Sequence, residues 1–210
     1  MKLIKFQALS KIYLLLGAFV IVGVIGLTGC GKEKTASAEK PGETAAAATP
    51  AQSPAEHGKY LVNAIAGCND CHTPWKMGPQ GPEPDMTRML SGHPAEMQMP
   101  PAPKLTMPWM AGIGATFTTF SGPWGVSYAA NLTPDSTGLG TWDETTFMLA
   151  IRNGKHIGNG RPILPPMPWQ NFKNMTDDDL KAIFAYLRTI PPVKNNVPDP
   201  IMIAPPTAMK

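Results

Sequence analysis

The sequence predicts a mostly helical fold in which an N-terminal and a C-terminal helix bracket a long irregular segment. Three observations predict it. Three stretches carry helical periodicity with end signals, no window alternates apolar and polar residues with a sustained period of two, and nine prolines between Pro74 and Pro108 bar long helices there. The first helix is expected over about 55–66, where Tyr60, Leu61, Ala64 and Ile65 give an apolar face before Gly67. The second is expected to start at a capping box of Thr141 with Glu144, to carry Phe147, Met148 and Ile151, and to stop at Asn153-Gly154. In the third, Thr176 caps, and Asp177, Asp178 and Asp179 sit at the positive end of the helix dipole. Leu180, Ile183, Phe184 and Leu187 then repeat at helical spacing, and Pro191-Pro192 ends the element. Residues 73–130 are expected as turns and extended chain; loops this long are uncommon unless they wrap something.

The N-terminus bounds the compartment. Lys2, Lys5 and Lys11 precede an apolar run from Ile12 to Leu27, 16 residues long. That is short of the roughly 20 residues a spanning helix needs, but it suits the apolar region of an export signal. The run ends in "LTGC", which resembles a bacterial lipobox, with Cys30 as the lipidated residue. The expected organisation is a signal peptide over 1–29, a lipid-anchored Cys30 with a linker over 30–54, one domain over 55–197 and a Pro-rich tail over 198–210. The linker is poor in large apolar groups, and its r.m.s. reach as a flexible coil is about 25–30 Å. The expected location is the periplasmic side of a bacterial membrane. Three of the 18 Lys and Arg lie in the signal and none of the 15 acids does, so the exported chain is balanced. No basic stripe remains to argue for nucleic acid.

The stretch "AGCNDCHTPW" (Ala66 to Trp75) carries the chemistry. Two cysteines three apart, followed by a histidine, can be a haem attachment site, half of a zinc site or a redox dithiol. The chain has three cysteines, Cys30, Cys68 and Cys71. With Cys30 lipidated only the pair remains, in an oxidising compartment where free vicinal thiols rarely persist. A tetrahedral zinc site needs a fourth protein ligand; His57, His93 and His156 are candidates, but no second CxxC exists. No alternation of strands and helices supports a redox dithiol. One covalent haem c therefore reads best, with Cys68 and Cys71 bridging to the vinyl groups and His72 as the proximal iron ligand.

The sixth iron ligand decides what such a site does. Met167 lies in "RPILPPMPWQNF", flanked by Pro165, Pro166 and Pro168, and that stiffness holds a thioether in place at little entropic cost. A methionine there closes the site for electron transfer; an open position instead makes a haem sensor or enzyme.

The chain resembles class I c-type cytochromes, in particular the monohaem cytochrome domains of bacterial membrane dehydrogenases and respiratory complexes. The matching stretches are "GKYLVNAIAGCNDCHTP", "NLTPDSTGLGTW", "RNGKHIGNGRPILPPMPW" and "MTDDDLKAIFAYLRTIPPV", which cover most of 58–193. The resemblance implies a cytochrome c-like fold with crossing terminal helices, Tyr60 or Leu61 packing against Phe184, Tyr186 or Leu187. It implies Cys68 and Cys71 as thioether sites, His72 and Met167 as axial ligands, and long Pro/Met-rich loops around one haem. The Met- and Pro-rich insertion at 77–125 is longer than in minimal cytochromes of this kind. The implied role is a non-enzymatic electron carrier in a respiratory chain, or a cytochrome subunit of an oxidoreductase complex. Its partners would be a dehydrogenase or quinol-oxidising complex upstream and a terminal oxidase downstream.

Other residues read more plainly. Met77, Met86, Met89, Met97, Met99, Met107 and Met110 are expected as packing rather than copper ligands. His93 is expected as a solvated loop residue. His156 is expected as a polar loop residue near Met167. Arg152 and Arg161 are propionate candidates, since guanidinium grips carboxylate bidentately. Trp124, Trp142 and Trp169 are expected as haem-pocket walls or core.

Overall fold

The computed structural model describes residues 52–203. The expected signal, Cys30 and most of the expected linker lie outside them, as does the end of the expected tail. The chain opens on α1 (Pro54–Tyr60), capped by Ser53, whose side chain accepts from the Glu56 N–H while Glu56 answers back. A π-helical turn, Leu61–Ile65, continues it. Gly67 takes a left-handed conformation and ends the run, so the chain re-enters as the short α2 (Cys68–His72). The expected first helix is thus two pieces, α1 and the π-helical turn, and it stops before Gly67 as expected, but its buried face differs from the expectation. Leu61 and Val62 are buried, whereas Tyr60 and Ile65 are more than half exposed.

Residues 73–130 build most of two small antiparallel sheets. The first pairs β1 (Trp75–Gly78) with β2 (Gly81–Pro84). The second runs in the order β3 (Gly112–Ile113), β4 (Thr119–Gly122), β5 (Gly125–Tyr128), β6 (Ile201–Met202). Strands of two to four residues leave little room for alternation to register in sequence. β6 comes from the segment expected as a free Pro-rich tail, and Val126 pairs with Ile201.

α3 spans Glu144–Asn153 and ends at a left-handed Gly154, as expected. Its N-cap is Asp143, accepting from the Thr146 N–H at 2.7 Å, not Thr141. A short α4 (Trp169–Phe172) precedes α5 (Asp177–Leu187), whose cap is Thr176, as the sequence predicts. α5 packs across α1 and joins Leu61, Val62, Leu180, Ile183, Phe184 and Leu187 in one core. Phe147 of α3 lies against Phe184, ring centroids 5.3 Å apart. Each such side chain taken from water contributes about 1.5–3 kcal/mol. His57 Nε2 bonds Asp179 Oδ1 at 2.7 Å across the α1–α5 contact. Among the described residues no helix is long and apolar enough to cross a membrane.

Candidate functional site

A cavity of about 750 Å³ lies between α2, the end of β5, α3 and the loop that precedes α4. Cys68, Cys71, His72 and Met167 all line it. Their convergence has local causes. The left-handed Gly67 sets the start of α2, and within its turn the three residues of the CxxCH motif fall close together. Met167 is brought in by the loop from Leu164 to Pro168. That loop is tied to β5, where Ser127 Oγ donates to the Pro165 carbonyl at 2.6 Å and accepts from Trp124 Nε1 at 3.2 Å.

His72 is buried, and its Nδ1 lies 2.8 Å from the Ala130 carbonyl oxygen. A carbonyl only accepts, so Nδ1 carries the proton and the Nε2 lone pair is left free. Burial pushes the imidazole below its usual range, outweighing the opposing effect of that hydrogen bond. The ring is therefore neutral near pH 7, the form that ligates metals.

Cys68 and Cys71 are half-buried and form no disulfide. Burial pushes the Cys68 thiol up to about 11 and raises Cys71 as well, with Asp70 adding to both shifts. A redox dithiol needs the opposite shift. Among the described residues no group of three or more His, Cys, Asp and Glu side chains is arranged to hold a metal ion. The volume lies within the range of about 300–1,000 Å³ typical of ligand sites. Two thiols, one free imidazole nitrogen and one thioether on a largely apolar wall fit a covalently held haem better than a zinc ion.

The remaining candidates divide. Arg161 and Asp199 line the cavity, as do Trp142 and His156, whose rings meet edge-on at 5.4 Å. Burial and Arg161 push His156 below its usual range, against the pull of Asp199. Arg152 does not line the cavity: it pairs with Asp177 at 2.5 Å and donates to the Lys173 carbonyl. Trp169 packs against Gly154 rather than on the cavity. His93, expected in solvent, is wholly buried. Met77, Met107 and Met110 are exposed rather than packed on the cavity.

The sequence reading missed the Ala130 carbonyl, Ser127 and the stretch 196–200, all of which shape the cavity. No residue-type signal could reveal a backbone carbonyl. The prolines at 198 and 200 suggested a tail because the pairing partner of β6 is about 75 positions away in β5.

No family model matches the chain. Stretches of it are similar to several bacterial proteins. Over 77 residues, 36% of this chain, it is 39% identical to a nicotinate dehydrogenase subunit of Pseudomonas putida. Over 90 residues it is 33% identical to the fructose dehydrogenase cytochrome subunit of Gluconobacter japonicus, covering 40% of this chain. Over 65 residues it is 38% identical to the gluconate 2-dehydrogenase cytochrome c subunit of Pantoea cypripedii, covering 30% of this chain. The chain spans 6%, 18% and 14% of the length of these three relatives, respectively. Similarity to cytochrome c subunits of bacterial dehydrogenases supports a cytochrome c-like domain in this chain.

Proposed function

We propose that the protein is a monohaem cytochrome c that moves single electrons and carries out no substrate chemistry of its own. The observation that carries this reading is the convergence of Cys68, Cys71, His72 and Met167, spread over a hundred positions, on one cavity. In this reading Cys68 and Cys71 hold one haem c through thioether bridges in a cytochrome c-like fold. His72 would offer Nε2 and Met167 its thioether to the iron. The haem, when bound, supplies an iron that alternates between ferrous and ferric. The chain's own part is to fix the two ligands, keep the imidazole neutral by burial, hold its proton on Nδ1 through the Ala130 carbonyl and exclude water with apolar walls. Arg161 serves as the partner for a propionate. The relatives support a dehydrogenase as redox partner, with the chain acting as carrier or as subunit. Cys30 serves as the lipid anchor on the periplasmic side.

A pyridine haemochrome assay on the purified protein is expected to show one covalently attached haem per chain; a colourless protein sinks the reading. Met167→Ala is expected to lower the midpoint potential and to let carbon monoxide bind the reduced form. An unchanged spectrum in that variant removes Met167 from the ligand set, and carbon monoxide binding to the wild type favours a haem sensor instead.

A further inference from the structure

The placement of His72 depends on a carbonyl 58 residues away, at Ala130. Between the two runs the irregular segment 73–130, and its ends are held together by a buried clasp. The Gly92 N–H donates to the His72 carbonyl at 2.7 Å, the His93 N–H to the Ala129 carbonyl at 2.9 Å, and the Leu132 N–H to the Leu90 carbonyl at 2.8 Å. The stretch 90–93 thus lies between the ligand and the strand end that supplies the ligand's hydrogen-bond acceptor.

The clasp has one polar side chain at its centre. His93 is 0% exposed, and its Nδ1 lies 2.9 Å from the hydroxyls of both Thr118 and Thr119. Its Nε2 lies 3.2 Å from the Met97 carbonyl. The carbonyl can only accept, so Nε2 carries the proton and Nδ1 accepts from a threonine hydroxyl. The ring also tilts against Tyr128, centroids 4.9 Å apart, and Tyr128 itself lines the large cavity. Thr118 closes the circuit: its carbonyl accepts from the Ala129 N–H at 2.8 Å. From the C-terminal side, Asn195 Nδ2 donates to the carbonyls of Ser91 at 2.7 Å and His93 at 2.9 Å. Both nitrogens of the His93 ring are used, and the Nδ1 bond leads through Thr118 to Ala129, the neighbour of Ala130. The Ser91 hydroxyl in the same stretch is buried without a partner, so the polar order of the clasp rests on the His93 ring and the Asn195 amide. Buried bonds of this kind favour one arrangement of the chain segments.

We infer that His93 is a positioning residue for His72, holding the Ala130 carbonyl at the distance that orients the imidazole and keeps its proton on Nδ1. The consequence for the iron rests on the haem reading above; the geometry of the clasp does not. An outer partner of a ligating histidine fixes its tautomer and raises its basicity, so His93 would act on the iron through two intermediates without touching it.

The test uses the full-length purified protein, labelled with ¹⁵N, as wild type, His93→Leu and His93→Gln. The readout is solvent exchange of the His72 Nδ1 proton, followed beside the amides of α5. His93→Leu fills the space but removes all three polar contacts. It is expected to speed exchange of the imidazole proton clearly more than that of the α5 amides. His93→Gln, whose amide can donate to Met97 and accept from a threonine, is expected to restore most of the protection. In the haem-bearing protein, His93→Leu is expected to raise the midpoint potential, because a weaker-donating His72 favours the ferrous state. Equal acceleration at His72 and in α5 overturns the inference, since that is general loss of stability. So does an unmoved imidazole proton, or a Gln variant that behaves like the Leu variant. A protein without covalent haem defeats the proposed function alone, because the exchange comparison still decides the clasp.

Discussion

Gly58 shows how much a single position can carry in this protein. A Cβ placed there would lie 1.8 Å from the Ala182 carbonyl oxygen and 2.9 Å from the Tyr186 Cβ, so only hydrogen lets α1 approach α5 this closely. Gly58→Ala is expected to cost about 1–3 kcal/mol, the usual penalty of overpacking, read as a lower urea midpoint with an unchanged slope. At the same scale, Cys68 and His72 are set by burial: it keeps the thiol protonated and the imidazole neutral. The neutral imidazole, its proton held on Nδ1, leaves the Nε2 lone pair free.

α1 and α5 form the frame on which these residues sit, and their contact includes one polar pair. The His57 hydrogen bond is the largest of the influences that draw the Asp179 carboxyl below its ordinary value near 3.8, and the Thr176 cap adds to it. The unfolded chain therefore takes up this proton first. The stability the pair contributes is complete above the ordinary value and is lost as pH falls through the lower folded value. Asp179→Asn is expected to remove that part of the acid sensitivity while costing about 0.2–1 kcal/mol at neutral pH, as partly exposed pairs do. Urea titrations at pH 7 and pH 3 check both halves: the gap between wild type and variant narrows at the lower pH. α5 was legible in its Thr176 cap and apolar stripe, but it ends at Leu187 with Arg188 as the C-cap, short of Pro191-Pro192. α3 was legible in its C-cap and apolar face, but its N-cap was misplaced by two residues. Asp143 outcompetes Thr141 because its carboxylate reaches the Thr146 N–H.

Across the whole molecule, the C-terminal stretch acts as a strap on the cavity. Residues 196–200 line it, and β6 then docks on β5, with the Ile203 N–H donating to the Trp124 carbonyl at 3.2 Å. Gly125 makes the docking possible: its φ is +108°, and a Cβ there would sit 1.9 Å from the Ile201 carbonyl oxygen. Gly125→Ala is expected to peel β6 away, measured as faster hydrogen exchange at Ile203 with α5 unchanged; equal protection at Ile203 in both proteins refutes the strap. The large cavity, the clasp around His93 and the strap all draw on segments far apart in sequence.

The sequence by itself determined what depends on neighbours along the chain. The adjacency of Cys68, Cys71 and His72, the stiff surround of Met167, and the caps and stripe of α5 are all short-range patterns, governed by turn geometry, helical period and dipole. Tertiary structure decided what depends on distant partners. It made Ala130 the acceptor for His72, buried His93 among threonines, turned Arg152 to Asp177 instead of the cavity, and converted a proline-rich end into a paired strand. Hydrogen bonds between remote backbone groups have no residue-type signature, and burial belongs to the assembled surface rather than to any one side chain.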